Sequence, residues 1–158
     1  MNKEAKTTVL RMFTYGLAVV TARHDGDGVA STVTWMMQCS FDPPLVAVAV
    51  KRGTRTFDMV KAAGAFAIHV IGAGQQELAS LFFKHVGIED GKIGGRPFTV
   101  GVTGAPILAD LPGYLECRVV EMVDRGDHPI FVAEVVEAGV QSKLLPLALR
   151  DTGWNYGG

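Results

Sequence analysis

Residues 31–50 constrain the possible fold of this chain more than any other stretch. Residues 45–50 form an unbroken apolar, β-branched run between a Pro-Pro pair and a basic loop, which predicts a buried strand. Residues 31–40 instead interleave hydroxyl groups and an amide with large apolar side chains. A half-buried strand usually carries charged residues on its solvent face, whereas the polar face of this stretch is uncharged. Its groups both donate and accept hydrogen bonds, so the stretch predicts a continuous β-ribbon suited to a polar heterocycle.

Composition limits the class of protein. The 158 residues include 48% apolar and 20% charged side chains, which predicts one globular domain spanning residues 1–158. The net charge is -1 and basic residues form no block, so neither nucleic-acid binding nor a polybasic membrane anchor is expected. The amino terminus lacks the apolar core of a signal peptide, and no apolar run approaches the roughly 20 residues of a membrane span. A cytoplasmic location is therefore expected.

The reactive side chains form no recognisable catalytic or metal motif. Cys39 and Cys117 are isolated thiols in apolar strands, which predicts inert core residues in a reducing compartment. The four histidines lack metal-ligand spacing, so no metal site is expected. The segment 72–77 has only the first two glycines of a dinucleotide-binding fingerprint, which argues against a Rossmann site. If the chain is an enzyme, a bound cofactor should carry the difficult chemistry.

Strand patterns outnumber helix patterns along the chain. Helices are predicted at residues 2–13, packed on the barrel wall, at about 55–62 and at 75–84. The strand 17–22 should form a hairpin with the segment from residue 29, and the prolines at 43 and 44 should form a corner. Further strands are predicted at 65–71, 98–102, 114–123 and 130–136, with a glycine-rich loop at 85–97. The fold class is therefore mainly β, an antiparallel Greek-key barrel with α excursions.

Three further segments have open interpretations. The loop 51–56 precedes a helix start and contains three cations and two threonines, which suits a phosphate site but also an ordinary solvated loop. His128, in a Gly-Asp-His-Pro turn, is either a structural turn residue or a group that orients or protonates a substrate. The tail 149–158 is aromatic and polar, which is not typical of a disordered terminus.

Several linked segments resemble one known family. The run from Gly28 to Val46, the basic loop with its following helix, and the strand 66–71 all resemble the flavin reductase-like, FMN-binding split-barrel family. So do the turn 103–106 and the Gly126-Asp127-His128 motif with its outgoing strand. The similarity covers about residues 8–140 in the same order, and the Trp35, Gln38, Ser40 and Asp-Pro-Pro pattern resembles the flavoredoxin-like branch most closely.

The resemblance implies a split β-barrel with FMN bound noncovalently at a homodimer interface. It places His128 near the flavin and the nicotinamide as the catalytic residue. It implies a phosphate site in the basic loop at Lys51, Arg52, Thr54, Arg55 and Thr56. It implies contacts to the flavin ring and ribityl chain from the polar stretch, at Ser31, Thr32, Val33, Thr34, Trp35, Gln38, Cys39 and Ser40.

The leading hypothesis is an FMN-dependent NAD(P)H:flavin reductase, which would pass electrons to oxygen, a second flavin, or a redox protein or monooxygenase partner. Hydride transfer needs aligned rings more than a protein acid or base, so the absence of a catalytic motif is compatible with this activity. The alternative is an FMN-binding electron carrier of the flavoredoxin type, reduced by a protein partner and with little NAD(P)H activity. A third possibility is a split-barrel domain that has lost its cofactor.

Overall fold

The computed structural model describes all 158 residues, and strands dominate it. Three α-helices and a short 3-10 helix accompany eleven strands. The helices are α1 (Lys3–Arg11), α2 (Arg55–Ala63), α3 (Gln76–Leu81) and the 3-10 segment Leu149–Thr152. The first six strands are β1 (Ala18–His24), β2 (Asp27–Val33), β3 (Met36–Ser40), β4 (Leu45–Ala49), β5 (Ala65–Val70) and β6 (Val86–Glu89). The others are β7 (Lys92–Ile93), β8 (Arg96–Val100), β9 (Pro106–Leu108), β10 (Gly113–Val123) and β11 (Ile130–Val140).

All eleven strands belong to one antiparallel sheet. Its order is β3-β4-β11-β10-β5-β1-β2-β6-β7-β8-β9, and the two end strands do not pair with each other. Two hairpins predicted from the sequence are present, β1 with β2 and β10 with β11. The mainly β, antiparallel fold class is therefore confirmed. The bend after β2 brings its end close to the start of β11, because the Trp35 carbonyl accepts a hydrogen bond from the N–H of Ala49 and Ala49 pairs with Ile130.

β1 lies at the centre of the sheet and is covered on both faces. Ala18, Val20 and Ala22 face one core cluster, together with residues of α2, β4 and β11. Leu17 and Val19 face a second cluster that includes side chains from α3 and the C-terminal segment. Alternate side chains of a strand point to opposite faces, so a strand buried on both sides needs an unbroken apolar sequence. This burial explains why residues 17–22 are apolar at every position except Thr21.

α2 holds the basic loop against the sheet. The Thr54 hydroxyl accepts a hydrogen bond from the backbone N–H of Phe57 at 3.3 Å, and Gly64 ends the helix with φ of 62°. Phe57 and Val60 are buried in the first core cluster, so the apolar face of the helix is fixed on the sheet. The predicted helix and its threonine cap are both present. The helix start consequently lies next to β2.

The predicted continuous ribbon at residues 31–40 is wrong, because two strands share that segment. β2 ends at Val33, the backbone bends at Thr34 and Trp35, and β3 begins at Met36. β2 pairs with β1 in the middle of the sheet, whereas β3 pairs only with β4 at its edge. The alternation of polar and apolar residues is interrupted at the bend, where Trp35, Met36 and Met37 are three consecutive apolar residues. The second half of the stretch therefore lies on a different part of the sheet.

Two predictions about burial are also wrong. α1 has no buried residue, and Val9 and Met12 are 53% and 69% exposed, so the helix does not pack on the sheet wall. Its apolar stripe has no matching apolar surface within this chain. Cys117 is buried as predicted, but Cys39 is exposed because its strand, β3, is the edge of the sheet.

The segment 85–97 is more regular than the predicted loop. β6 and β7 pair with each other, and β7 pairs with β8, to form a short meander. The glycines interpreted as loop residues instead form tight turns, and Gly91 and Gly95 have φ of 70° and 72°. α3 also ends at Leu81, three residues before its predicted end. None of the helices has the length and apolar content required to cross a lipid bilayer.

Candidate functional site

A pocket of about 720 Å³ opens where β2 ends beside the basic loop. Four segments form it: the end of β2 with the following bend, the loop after β4, the segment after α3, and the C-terminal tail with His128. The lining residues are Leu17, Ser31, Thr32, Val33, Thr34, Trp35, Ala49, Val50, Lys51, Arg52, Gly53, Thr54, Phe83, His85, His128, Leu149, Trp154, Asn155 and Tyr156. Apolar rings and polar side chains therefore share one concave surface, as is typical of cofactor sites.

The end of β2 provides hydroxyl groups whose positions are fixed by other hydrogen bonds. The Thr32 hydroxyl donates to the carbonyl of Ala79 at 2.8 Å. The Ser31 hydroxyl is 2.8 Å from that of Thr56, which in turn is 2.9 Å from Nδ1 of His85. This chain of contacts links β2, α2 and the segment before β6. It therefore fixes the relative positions of three of the elements that form the pocket.

Two buried polar atoms of the bend have no hydrogen-bond partner. They are the hydroxyl oxygen of Thr34 and the indole Nε1 of Trp35, and both residues line the pocket. A buried polar group without a partner costs about 1–3 kcal/mol. A bound molecule with complementary donors and acceptors would recover that free energy. This observation fits a polar heterocycle at the Thr34–Trp35 bend.

The loop after β4 makes its part of the pocket wall cationic. Lys51 is exposed and has no ion-pair partner, whereas the Arg52 guanidinium forms an ion pair with Asp124. The backbone N–H of Arg52 donates to the carbonyl of Asp127 at 2.8 Å, which joins the basic loop to the turn that carries His128. The first N–H groups of α2 have no acceptor within the helix, and the helix dipole favours an anion there. A phosphate group fits this part of the pocket.

Arg55 does not line the pocket, although it is one of the residues predicted for the phosphate site. Its guanidinium forms an ion pair with Asp27 at 2.5 Å and packs against Gly87. The ion pair and a hydrogen bond from the Gly28 N–H hold the pKa of the Asp27 carboxyl below its usual value. Burial, and secondly the charge of Arg55, lower the pKa of the His85 ring. Arg55 thus acts on the pocket through the electrostatics of His85.

His128 lies at the mouth of the pocket between a carboxylate and a phenol. Its Nδ1 is 3.0 Å from Oδ1 of Asp127, and its Nε2 is 2.7 Å from the hydroxyl of Tyr156. Its ring centroid is 4.6 Å from that of Trp35. The His128 side chain is only 12% exposed, so neighbouring rings hold the imidazole in place.

The predicted site residues divide into two groups. Nine of them line the pocket: Ser31, Thr32, Val33, Thr34, Trp35, Lys51, Arg52, Thr54 and His128. The other five lie outside it: Gln38, Cys39, Ser40, Arg55 and Thr56. The first three are on β3, beyond the bend, and Thr56 is buried behind Ser31. The roles predicted for these residues remain predictions.

Several lining residues are absent from the predicted site. Phe83 and His85 follow α3, and no motif in that segment indicates a ligand contact. Trp154, Asn155 and Tyr156 belong to the tail, whose aromatic composition is the only sequence signal for them. Trp154 packs edge-on against Phe83, with ring centroids 4.7 Å apart. The tail therefore forms one wall of the pocket.

Comparison with known proteins agrees with this geometry. The family described as "Flavin reductase like domain" matches residues 10–156. The reductase component of 4-nitrophenol 4-monooxygenase/4-nitrocatechol 2-monooxygenase from Rhodococcus opacus is 32% identical over 145 residues, which cover 87% of this chain and 72% of that protein. FMN reductase (NADH) RutF from Pseudomonas syringae is 31% identical over 124 residues, 78% of this chain and 69% of that protein.

The fold comparison gives the same family. The styrene monooxygenase flavin reductase from Pseudomonas putida S12 superposes with a TM-score of 0.76 at 30% identity, covering 90% of each chain. Some relatives are longer, and this chain spans 39% and 46% of the length of two of them. The predicted resemblance and the split-barrel fold class are thereby confirmed. The chain belongs to the flavin reductase-like domain family.

Proposed function

We propose that this chain is an FMN-dependent flavin reductase that oxidises NAD(P)H. The observation that carries the proposal is the pocket itself, which combines unpartnered buried polar atoms at the Thr34–Trp35 bend with the free positive charge of Lys51. That distribution is complementary to a flat polar ring attached to a phosphate. Relatives named FMN reductase (NADH) and NADH-dependent flavin reductase support the same chemistry.

The proposed cofactor contacts follow from this polarity. The Thr34 hydroxyl and the Trp35 indole N–H would bind the polar edge of the flavin ring. Lys51, the Thr54 region and the first N–H groups of α2 would bind the phosphate. Bound FMN supplies the two-electron chemistry, accepting hydride from a nicotinamide and passing the electrons on. The protein positions the rings and excludes water from them.

His128 is the proposed catalytic residue. It is one of two histidines that line the pocket, and its ring is fixed by contacts on both nitrogen atoms. At that position it would orient a nicotinamide or hold a proton at Nε2 as the flavin changes charge. His85, which also lines the pocket, is hydrogen-bonded to Thr56 and would stabilise the shape of the site.

A homodimer would account for residues that the pocket of a single chain does not use. Gln38, Cys39 and Ser40 lie on the edge strand β3, where Met37 and Phe41 are 63% and 90% exposed. A second copy packed on this edge would bury that apolar surface, and the three polar side chains would then lie at an interface. The exposed apolar side chains of α1 offer additional surface for the same association.

The proposed partner is a monooxygenase or another redox protein that consumes reduced flavin. The proposed location of both proteins is the cytoplasm. The support is that similar proteins include the reductase component of a nitrophenol monooxygenase and a styrene monooxygenase flavin reductase. The proposed functional unit is the whole chain, since residues from Leu17 to Tyr156 contribute to one pocket.

Anaerobic stopped-flow spectroscopy tests the proposal. Protein loaded with FMN should lose its flavin absorbance near ~450 nm within seconds of mixing with NADH or NADPH. His128→Ala should slow this reduction by about 10- to 100-fold with little change in FMN affinity. His24→Ala is the matched control, because His24 is exposed at the end of β1 and lies outside the pocket.

Three outcomes would contradict parts of the proposal. Reduction by dithionite or a protein partner, but not by either nicotinamide, would assign the chain to the electron carriers. Failure of the purified chain to bind FMN at all would indicate a split barrel without a cofactor. Equal reduction rates for the wild type and His128→Ala would assign His128 a structural role.

A further inference from the structure

We propose that Tyr156, in the C-terminal tail, is a positioning residue that fixes the tautomer and ring orientation of His128. This proposal rests on the proposed function, because it assigns a role to the residue that prepares His128 for flavin reduction. Its basis is a row of three side chains: Asp127, His128 and Tyr156 are joined by contacts of 3.0 Å and 2.7 Å, one on each imidazole nitrogen.

The polarity of these two hydrogen bonds follows from the chemistry of the outer groups. The hydrogen bond from His128 holds the pKa of the Asp127 carboxyl below its usual value, so the carboxylate is ionised and can only accept. Nδ1 of His128 is therefore the donor in this contact, but Asp127 is 87% exposed, so water competes for its carboxylate and this hydrogen bond alone does not fix the tautomer. In the neutral ring, Nε2 then has a lone pair and accepts the hydroxyl proton of Tyr156.

Tyr156 is suited to remain the donor. Burial, and secondly the nearby Asp127 charge, raise the pKa of its phenol above the ordinary value of 10.0, so the hydroxyl keeps its proton at neutral pH. The ring is also fixed in place, because its centroid lies 5.2 Å from that of Trp35 in an edge-on arrangement. Trp35 thus contacts both His128 and the tyrosine that hydrogen-bonds to it.

The backbone around Tyr156 is held close to the pocket. Gly157 has φ of 82°, and a Cβ atom there would lie 2.6 Å from the Trp35 ring, so only glycine allows this approach without strain. The Gly157 carbonyl accepts a hydrogen bond from Nε of Arg11 at 3.3 Å, which ties the tail to the end of α1. The tail is therefore anchored on both sides of the tyrosine, since Trp154 packs against Phe83.

Tyr156→Phe tests the proposal, because it removes only the hydroxyl. Nitrogen-15 NMR of the imidazole in protein without flavin reports directly which ring nitrogen carries the proton. We expect the wild type to have protonated Nδ1 and unprotonated Nε2, and the variant to show a mixture of both tautomers. Tyr15→Phe is the matched control, because Tyr15 also packs near Trp35, at 6.5 Å between centroids, but makes no contact with His128.

A kinetic measurement accompanies the spectrum. Loss of one hydrogen bond that orients His128 should slow flavin reduction about five-fold in Tyr156→Phe, while the Kd for FMN changes less than two-fold. An unchanged tautomer in Tyr156→Phe, or a wild-type ring with the proton on Nε2, would overturn the proposal.

The experiment also separates this inference from the proposed function. If the tautomer changes in Tyr156→Phe but the wild-type chain neither binds FMN nor oxidises a nicotinamide, the positioning stands and the reductase function fails. If flavin reduction is rapid in the wild type but the tautomer is independent of Tyr156, the function stands and the positioning fails.

Discussion

Acidification from pH 8 to pH 5 should destabilise the folded chain through His69, whose ring is completely buried on β5. Nε2 of His69 accepts a hydrogen bond from the backbone N–H of Leu108 at 3.1 Å, so Nδ1 carries the proton and donates to the carbonyl of Val19 at 3.3 Å. A second proton, on Nε2, would face the N–H of Leu108, and the hydrogen bond between them would be lost. Burial, the largest effect, lowers the pKa of the ring from 6.5 to about 4.

The size of the effect follows from these two values. The unfolded chain binds a proton at His69 more readily than the folded chain does. The stabilisation that the neutral, buried ring gives the fold is therefore complete above about pH 6.5 and is lost as the pH falls towards 4. At pH 5 the unfolded histidine is almost fully protonated and the folded one mostly neutral, which corresponds to a loss of about 2 kcal/mol. The complete loss, well below pH 4, is about 3 kcal/mol.

Urea denaturation followed by tryptophan fluorescence at pH 8, 7, 6 and 5 measures the effect. His69→Gln removes the titration but retains an oxygen that can accept from Leu108. The free energy of unfolding of the wild type should therefore fall by about 2 kcal/mol more than that of the variant between pH 8 and pH 5. Other titrating groups, including His85, are present in both proteins and cancel in the difference.

Ile68→Val is the control for destabilisation without titration. Ile68 is the buried neighbour of His69, and the smaller side chain should cost about 0.5–1.5 kcal/mol equally at every pH. Its curve should run parallel to that of the wild type. If the wild type and His69→Gln lose stability in parallel, the ring is not held neutral in the core, and the assignment of its hydrogen bonds fails.

Two further predictions concern a buried acid and the two thiols. Glu116, 1% exposed, accepts hydrogen bonds from the N–H groups of Val102 and Thr103 and from the Thr103 hydroxyl at 2.6–3.1 Å. Glu116→Gln should therefore lower the free energy of unfolding by about 2–4 kcal/mol in urea titrations, and a loss below about 0.5 kcal/mol would contradict this role. Ellman's reagent should modify one thiol, Cys39, in the folded chain and a second only in urea, because burial raises the pKa of Cys117 to about 12. Rapid reaction of two thiols in the native protein would contradict the burial of Cys117.

Local sequence was sufficient for the parts of the site that are contiguous in the chain. The basic loop and the helix after it are correctly predicted because a threonine cap, an amphipathic helix and a terminal Gly64 are all local signals. Thr34, Trp35 and His128 line one pocket with that loop, and their roles there remain predictions. Each of these residues lies close to the end of a strand or helix whose hydrophobic pattern is clear in the sequence.

The tail and the edge strand could not be placed in the same way. Tyr156 meets His128 across 28 residues, and Phe83 meets Trp154 across 71, so no local pattern connects them. The bend at Thr34 coincides with an interruption of the alternation at residues 35–37, but that interruption does not tell with which strand the next segment pairs. Contacts between distant segments depend on how the sheet curves, which periodicity does not encode.

The sequence by itself therefore determined the family, the antiparallel β class and the basic loop with its helix, because hydrophobic period, turn residues and capping are local properties of the chain. Only the tertiary structure decided which polar residues face one another. It separates Gln38 and Ser40 from Thr34, and it brings Tyr156 to His128. The physical reason is that strand pairing and tail packing are set by burial summed over the whole sheet, so each depends on residues far away in the chain.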